Sequence, residues 1–221
     1  MPRQAGSCLS CQTLSDRMNA HSPAWSAASY FGEGTPGMPL EQMREEALLL
    51  DRAIREEVAL VPYDEQWPAL FATEQERLLR LFPRQLLQVE HFGSTAVPGI
   101  LAKPIIDILA GVPSMGVAES LVQPLLCSGY ITSPEFNATL KDRRWFMRAA
   151  EGRRTHHLHL VVLGGAQWHE RLRFRDLLRS NAELAQRYAN LKRELASQHK
   201  QDREAYTNAK SEFVSSVVAG A

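Results

Sequence analysis

Asp107 stands inside the run Ile105-Ile106-Asp107-Ile108-Leu109, with apolar residues on both sides. An ionised carboxylate among Ile and Leu is costly unless it is paired, hydrogen-bonded or bound to a metal. Its chemistry is therefore confined to a cation, a hydroxyl or an amine. Upstream, Glu90-His91-Phe92 runs into Gly93-Ser94, followed by a Pro/Gly turn at Pro98-Gly99. Glycine lets backbone amides approach a ligand, and serine adds a hydroxyl, so a strand ending in this pair can cradle phosphate. Lys103, just before Pro104, is placed to neutralise such a phosphate.

The second constellation is His156-His157-Leu158-His159. Side chains alternate along a strand, which puts His157 and His159 on one face. Two histidines so placed can bind a metal, or one can act as acid or base. A two-histidine phosphoesterase would need a second matching His element, and none is present. Glu90 and His91 face opposite sides of their strand, so at most one joins a site directly. Among the arginines near the hairpin (Arg143, Arg144, Arg148, Arg153 and Arg154), Arg144 is the candidate for bidentate binding of an anion. Tyr206 and Lys210 stand four apart, on one face of a helix, where the ring can stack on a base and the amine can meet phosphate.

The elements that must position these groups can be read from periodicity. Val58 to Pro62 reads as a short strand. Trp67, Leu70, Phe71, Leu78, Leu81 and Phe82 recur at helical spacing, and Pro83 ends that helix. Leu86 to Phe92 and Ile105 to Val112 read as strands, the second covered on both faces. Because Asp107 and Leu109 alternate onto one face, Leu109 is the residue beside Asp107. Val117 to Ser128 reads as a helix, and Gly129 to Thr132 as the start of a strand. Arg144 to Ala149 and His156 to Leu163 read as an antiparallel pair. Three helices follow, with apolar stripes at Trp168/Leu172/Phe174, at Leu184/Tyr188/Leu191/Leu195 and at Tyr206/Phe213/Val217, the last capped by Asp202. The fold class is α+β: a mixed sheet flanked by helices, with a C-terminal helical tail.

Residues 1–39, rich in Ser, Gly, Pro and Ala, read as a flexible leader. Residues 40–57 read as an N-terminal helix, and 58–221 as the main domain. Cys8 and Cys11 form a lone Cys-x-x-Cys pair with His21 as the single nearby extra ligand, too little for a zinc site. Cys127, after Leu125 and Leu126, reads as a small core residue. Lys plus Arg number 25 and Asp plus Glu 25, so no overall charge draws the chain to nucleic acid or membrane. No apolar run approaches the roughly 20 residues of a membrane span, and the N-terminus lacks a signal-peptide core. A cytoplasmic protein acting on a small molecule is the expectation.

Taken together, Val89-Glu90-His91-Phe92-Gly93-Ser94-Thr95-Ala96-Val97-Pro98-Gly99 and Ala102-Lys103-Pro104-Ile105-Ile106-Asp107-Ile108 resemble the signature of the GrpB family. His157-Leu158-His159-Leu160-Val161, Phe174-Arg175-Asp176-Leu177-Leu178-Arg179 and Asp202-Arg203-Glu204-Ala205-Tyr206-Thr207 through Lys210 fit it in the same order, over roughly residues 58–219. The resemblance implies a nucleotidyltransferase-like fold of the DNA polymerase beta type. In that superfamily Gly-Ser holds phosphate, and paired acids on the next strand hold divalent metal for nucleotidyl transfer. Carried over, Gly93 and Ser94 match the phosphate-binding pair and Asp107 the first acid, while Leu109 stands at the second acid position and His157 and His159 where a later acid would be.

The expectation is a nucleotide or small phosphorylated ligand, bound by Gly93, Ser94, Lys103, Arg144, Tyr206 and Lys210. Asp107 and His159 are the catalytic candidates. Asp107, His157 and His159 are the candidate ligands for Mg²⁺ or Mn²⁺, with Zn²⁺ behind them. Transfer to a small-molecule acceptor is the leading activity. The alternatives are an inactive ligand-sensing or interaction module of the same fold, and a metal-dependent hydrolase built on Asp107, His157 and His159.

Overall fold

One four-stranded mixed sheet organises the chain. Its strands are β1 (Gln88–Phe92), β2 (Ile106–Val112), β3 (Arg143–Ala150) and β4 (Arg153–Val162), in the spatial order β1-β2-β4-β3. β1 runs antiparallel to β2, β2 parallel to β4, and β3 antiparallel to β4. The computed structural model describes residues 41, 48–52, 57–200 and 203–220. The leader, Cys8, Cys11, His21, Asp202 and most of 40–57 lie outside the described residues. The chain divides into two units, Met1–Asp51 and Arg52–Ala221, and the sheet belongs to the second. In the first, residues 48–51 are helical and Leu48 is exposed.

The helices around the sheet are α1 (Trp67–Leu81), α2 (Met115–Ser120), α3 (Val122–Leu126), α4 (Pro134–Thr139), α5 (Ala166–Ser180), α6 (Ala182–Gln198) and α7 (Arg203–Ala219). A 3-10 turn, Ser94–Ala96, follows β1 directly. Pro68 sits in the first turn of α1, where its missing N–H is harmless. The side chains of Ser114, Ser133 and Asn181 accept hydrogen bonds from backbone N–H groups at the starts of α2, α4 and α6. The stretch expected as one helix from Val117 to Ser128 is two short ones that meet at Leu121.

Strand alternation sorts the sheet into two faces. Ile106, Ile108, Ala110, Leu158, Leu160 and Phe146 point one way, into the main core with Leu78, Ala118 and Leu125. Glu90, Phe92, Asp107, Leu109, His157 and His159 point the other way, as their register partnerships require. On that second face Phe92, Leu109 and Val161 pack under Trp168, with Leu172 beside it, so α5 covers this part of it. A third cluster (Val97, Ile100, Phe174, Leu178 and Tyr188, with Phe213) joins α5, α6 and α7 to the segment after the 3-10 turn. The helical tail therefore grips the Gly-Ser loop.

Three sequence expectations change. Val58 to Pro62 and Gly129 to Thr132 are isolated bridges, Val61 to Ala102 and Ile131 to Met147. Both are too short and too loosely patterned to form a ladder. Cys127 is exposed, because it follows α3 at a turn where Leu125 takes the buried position. No described helix is long and apolar enough to cross a membrane.

Candidate functional site

The parallel register places Asp107 beside His157, and the antiparallel one places it beside Phe92, the residue before Gly93. His157 Nδ1 lies 3.1 Å from Asp107 Oδ1. The carboxylate can only accept, so Nδ1 carries the proton and donates it. Burial alone would push the Asp107 pKa up. The hydrogen bond from His157, the charge of His157 and that of Lys210 outweigh it, and the carboxyl sits below its ordinary value. The carboxylate that looked expensive in the sequence is half-buried and paired, and it keeps its charge.

Gly93 has φ 73° and ψ −170°, a conformation essentially reserved for glycine, and its Cα lies against the Asp107 carboxylate. Four hydrogen bonds hold this loop from behind. Thr95 Oγ1 donates to the Ile105 carbonyl at 3.2 Å and lies 3.0 Å from His91 Nε2. With its one proton engaged, the hydroxyl accepts from His91, which is thereby the Nε2–H tautomer. Burial, resisted by the Asp107 charge, lowers the His91 pKa to about 4, so the ring is neutral. It stacks on Phe71 at 4.8 Å. From α5, Arg179 Nε donates to the Ala96 carbonyl, and Arg175 Nη1 donates to the His91 carbonyl, each at 2.8 Å.

The tail helices complete one side. Ser94 lies beside the buried Tyr188 phenol, whose pKa burial raises to about 12, with Ser94 opposing the rise and the Asp107 charge adding to it. Lys192, one turn on, is 1% exposed. Its Nζ donates to the Leu101 carbonyl and lies 4.8 Å from the Tyr188 ring. Burial, then the charges of Lys210 and Arg193, lower its pKa to about 7. The Tyr206 ring is buried, with Lys210 Nζ at 4.2 Å and Lys103 Nζ at 4.8 Å from its centre. Tyr206 is thus a platform for two lysines. A buried ring with both lysines on it does not also offer a face for stacking a base.

The structure brings together Gly93, Ser94, Asp107 and His157, with Lys210, Lys103 and Tyr206 beside them. His159 shares the face, two residues further along β4, edge-on to Phe92 at 5.2 Å. Burial, then the charges of Arg171, Arg143 and His157, hold it neutral, well below its ordinary pKa. Arg144 is not part of this group. It alternates onto the opposite face, where its Nε binds Glu119 at 2.6 Å. Its neighbour Arg143 faces the site. Sequence reasoning also missed Tyr188, Lys192 and Arg171. The signal was present: Lys192 and Arg171 each interrupt the apolar stripe of an amphipathic helix.

A metal-bridging pair of carboxylates does not fit these residues. The second acid position is Leu109, fully buried in the apolar cluster under Trp168. Glu90, the remaining acid on this face, is bound by Arg175 at 2.8 Å. Asp107 and His157 face each other in a hydrogen bond, and no group of three His, Cys, Asp or Glu among the described residues is placed to hold an ion. An open groove on the other side of the sheet, between Trp67, Leu70, Ile106, Arg148 and His156, is the weaker candidate for chemistry. Its cation, Arg148, is neutralised by Glu74 at 2.5 Å.

Comparison with known proteins agrees with this architecture. Residues 57–219 match the family model described as GrpB protein. The chain is 37% identical over 170 residues to the glutamate-rich protein GrpB of Alkalihalophilus pseudofirmus, covering 73% of this chain and 94% of that one. It is 34% identical over 160 residues to the UPF0157 protein YqkA of Bacillus subtilis, covering 72% of this chain and 46% of YqkA, about half its length. The crystal structure of the conserved protein GrpB from Enterococcus faecalis superposes with a TM-score of 0.65 at 32% identity, over 73% of this chain and 96% of that one. The chain belongs to the GrpB family.

Proposed function

We propose that this face binds the phosphate groups of a nucleotide and transfers the nucleotidyl group to the hydroxyl of a small acceptor. The observation that carries the reading is the meeting of the Gly93-Ser94 turn, the Asp107–His157 pair and Lys210 on one face, where the Asp107 side chain stays 27% exposed. Phosphate oxygens accept from the Ser94 hydroxyl and the turn amides, and Lys210 and Lys103 supply the opposing charge. Asp107 accepts a hydrogen bond from the acceptor hydroxyl. As the acceptor oxygen bonds to phosphorus, its proton passes to the Asp107–His157 pair, the bond to the leaving pyrophosphate breaks, and the lysines take up the charge that develops there. His157, aligned through Nδ1, keeps Asp107 ionised for that role. His159, held neutral by burial and by the charges of Arg171 and Arg143, resists protonation and takes no proton in this step.

Calorimetric titration with ATP, GTP, CTP and UTP, with and without Mg²⁺ or Mn²⁺, tests binding. Micromolar binding of at least one nucleotide, weakened tenfold or more in Asp107→Ala, is expected. No binding, or binding unchanged in Asp107→Ala, rejects the reading. Leu109 favours a second one, a module that binds the ligand without turning it over. Consumption of the bound nucleotide followed by phosphorus NMR, and lost in Asp107→Asn, decides between the two.

A further inference from the structure

The face that carries Asp107 holds a second set of cations, away from Lys210. Arg143 stands opposite Val161 in the β3–β4 ladder, on the same face as His157 and His159. Arg171 reaches over from α5, with its guanidinium 5.4 Å from the centre of the Phe92 ring. Its orientation is held, because Nε and Nη2 both donate to Gln167 Oε1, at 3.1 and 2.8 Å. That leaves Nη1 for another acceptor. A guanidinium locked by a side-chain amide and backed by a ring loses little freedom when it meets a planar oxyanion.

Neither arginine forms an ion pair with a carboxylate among the described residues, and Arg143 Nε and His159 Nδ1 are buried without a hydrogen-bond partner. Burial and the charge of Arg143 lower the Arg171 pKa to about 10, so the two guanidiniums act on each other. Asp107, Asp142 and Glu170 offset part of that repulsion from a distance. Two like charges brought together without a direct counterion, beside orphaned nitrogens, are costly unless something anionic joins them. Arg175, one turn further along α5, shows the contrast, since it is matched by both Glu90 and Asp176.

We propose that Arg143 and Arg171, with His159 between them, form a second oxyanion position that binds the carboxylate or phosphate of the acceptor molecule. The acceptor is then an acidic small molecule, a hydroxy acid or a sugar phosphate, with its anionic group on the arginines and its hydroxyl turned toward Asp107. The acceptor role rests on the nucleotidyl-transfer reading; the oxyanion position does not.

The test titrates the full chain separately with inorganic phosphate and with acetate, by calorimetry and by thermal shift, alongside a nucleotide. Wild-type protein is expected to bind one of the two small anions at millimolar concentration. Arg143→Gln and Arg171→Gln are each expected to weaken that binding tenfold or more, leaving the nucleotide affinity within twofold. Gln167→Ala, which frees the guanidinium without removing its charge, is expected to give a smaller loss. Arg173→Gln, an exposed charge on the same helix, is expected to give none and serves as the folding control. Which anion binds tells a carboxylate site from a phosphate site. Absence of binding by both anions, or equal affinity in the arginine variants, overturns the oxyanion position. A parallel loss of nucleotide affinity overturns it as a separate position and assigns the arginines to the nucleotide. Absence of nucleotide binding with anion binding intact rejects the nucleotidyl-transfer reading alone.

Discussion

A Cβ built on Gly93 would lie 2.3 Å from Asp107 Oδ2, closer than any real contact. The turn and the carboxylate thus share one space, and neither can change without moving the other. The backbone at Gly93 is strained for any other residue, at a cost of roughly 1–3 kcal/mol. Gly93→Ala is therefore expected to lower stability by about that much and to weaken nucleotide binding tenfold or more. Chemical denaturation and calorimetric titration measure the two effects separately. A variant with wild-type affinity would break the link between the turn and Asp107.

His91 ties that turn to the strand carrying Asp107, and its pKa falls from 6.5 to about 4 on folding, chiefly through burial. The unfolded chain takes up a proton between these values while the folded one does not. Stability is therefore full above pH 6.5 and is lost as pH falls toward 4, by roughly 3 kcal/mol. His91→Phe, which keeps a ring against Phe71, is expected to flatten this part of the stability profile. Urea midpoints at pH 7, 6 and 5 follow the slope directly.

Lys192 titrates in the opposite range. Its folded pKa of about 7 lies below the ordinary 10.5, chiefly through burial, so between the two the unfolded chain holds the extra proton. Stability accordingly rises with pH through that window and is lost as pH falls back through 7. Lys192→Met removes the penalty. Relative to wild type, the variant is expected to be more stable at pH 6 than at pH 9, by a few kcal/mol. Anion binding beside the lysine should also draw a proton into the wild-type protein at pH 8, visible as a dependence of the binding heat on the buffer.

Behind the sheet, Glu74 is buried and takes Tyr130 Oη and Arg77 at 2.7 Å each and Arg148 at 2.5 Å. Removing a buried charge that three donors share leaves Tyr130 Oη, Arg148 and one arm of Arg77 without their acceptor, while Arg77 keeps the Ser128 carbonyl. Glu74→Ala is expected to cost about 3–5 kcal/mol in denaturant unfolding. Under conditions where the variant remains folded, its ligand affinity should match wild type, because the sheet separates Glu74 from Asp107.

Much of this arrangement was legible in the chain. Asp107 in an apolar run, Gly93-Ser94 before it and the alternating histidines announced a face, and strand periodicity put Leu109 and His159 on it. Arg144 was misread for a simple reason. The face of each hairpin arginine follows from the β3–β4 pairing, which sets Arg144 opposite Leu160 on the core side and Arg143 opposite Val161 on the other. Tyr188 and Lys192 were hidden differently. Spacing shows Lys192 breaking an apolar stripe, but what Tyr188 and Lys192 meet depends on how α6 crosses the Gly-Ser loop, which is long-range packing. Glu74 lay in an ordinary amphipathic helix, and only its tertiary partners, Tyr130 and Arg148, mark it as buried.

The grip of the helical tail on the Gly-Ser loop has a consequence for synthesis. The chain leaves the ribosome N-terminus first, so β1 to β4 are available to pair before Lys210 has emerged. A nascent or prematurely ended chain then carries Asp107 and His157 but lacks Tyr188, Lys192 and Lys210 around Ser94. On the proposed assignment a phosphate ligand adds stability to finished molecules alone. A bound phosphate ligand is then expected to slow proteolysis of the chain that carries α7 more than that of a variant truncated before it.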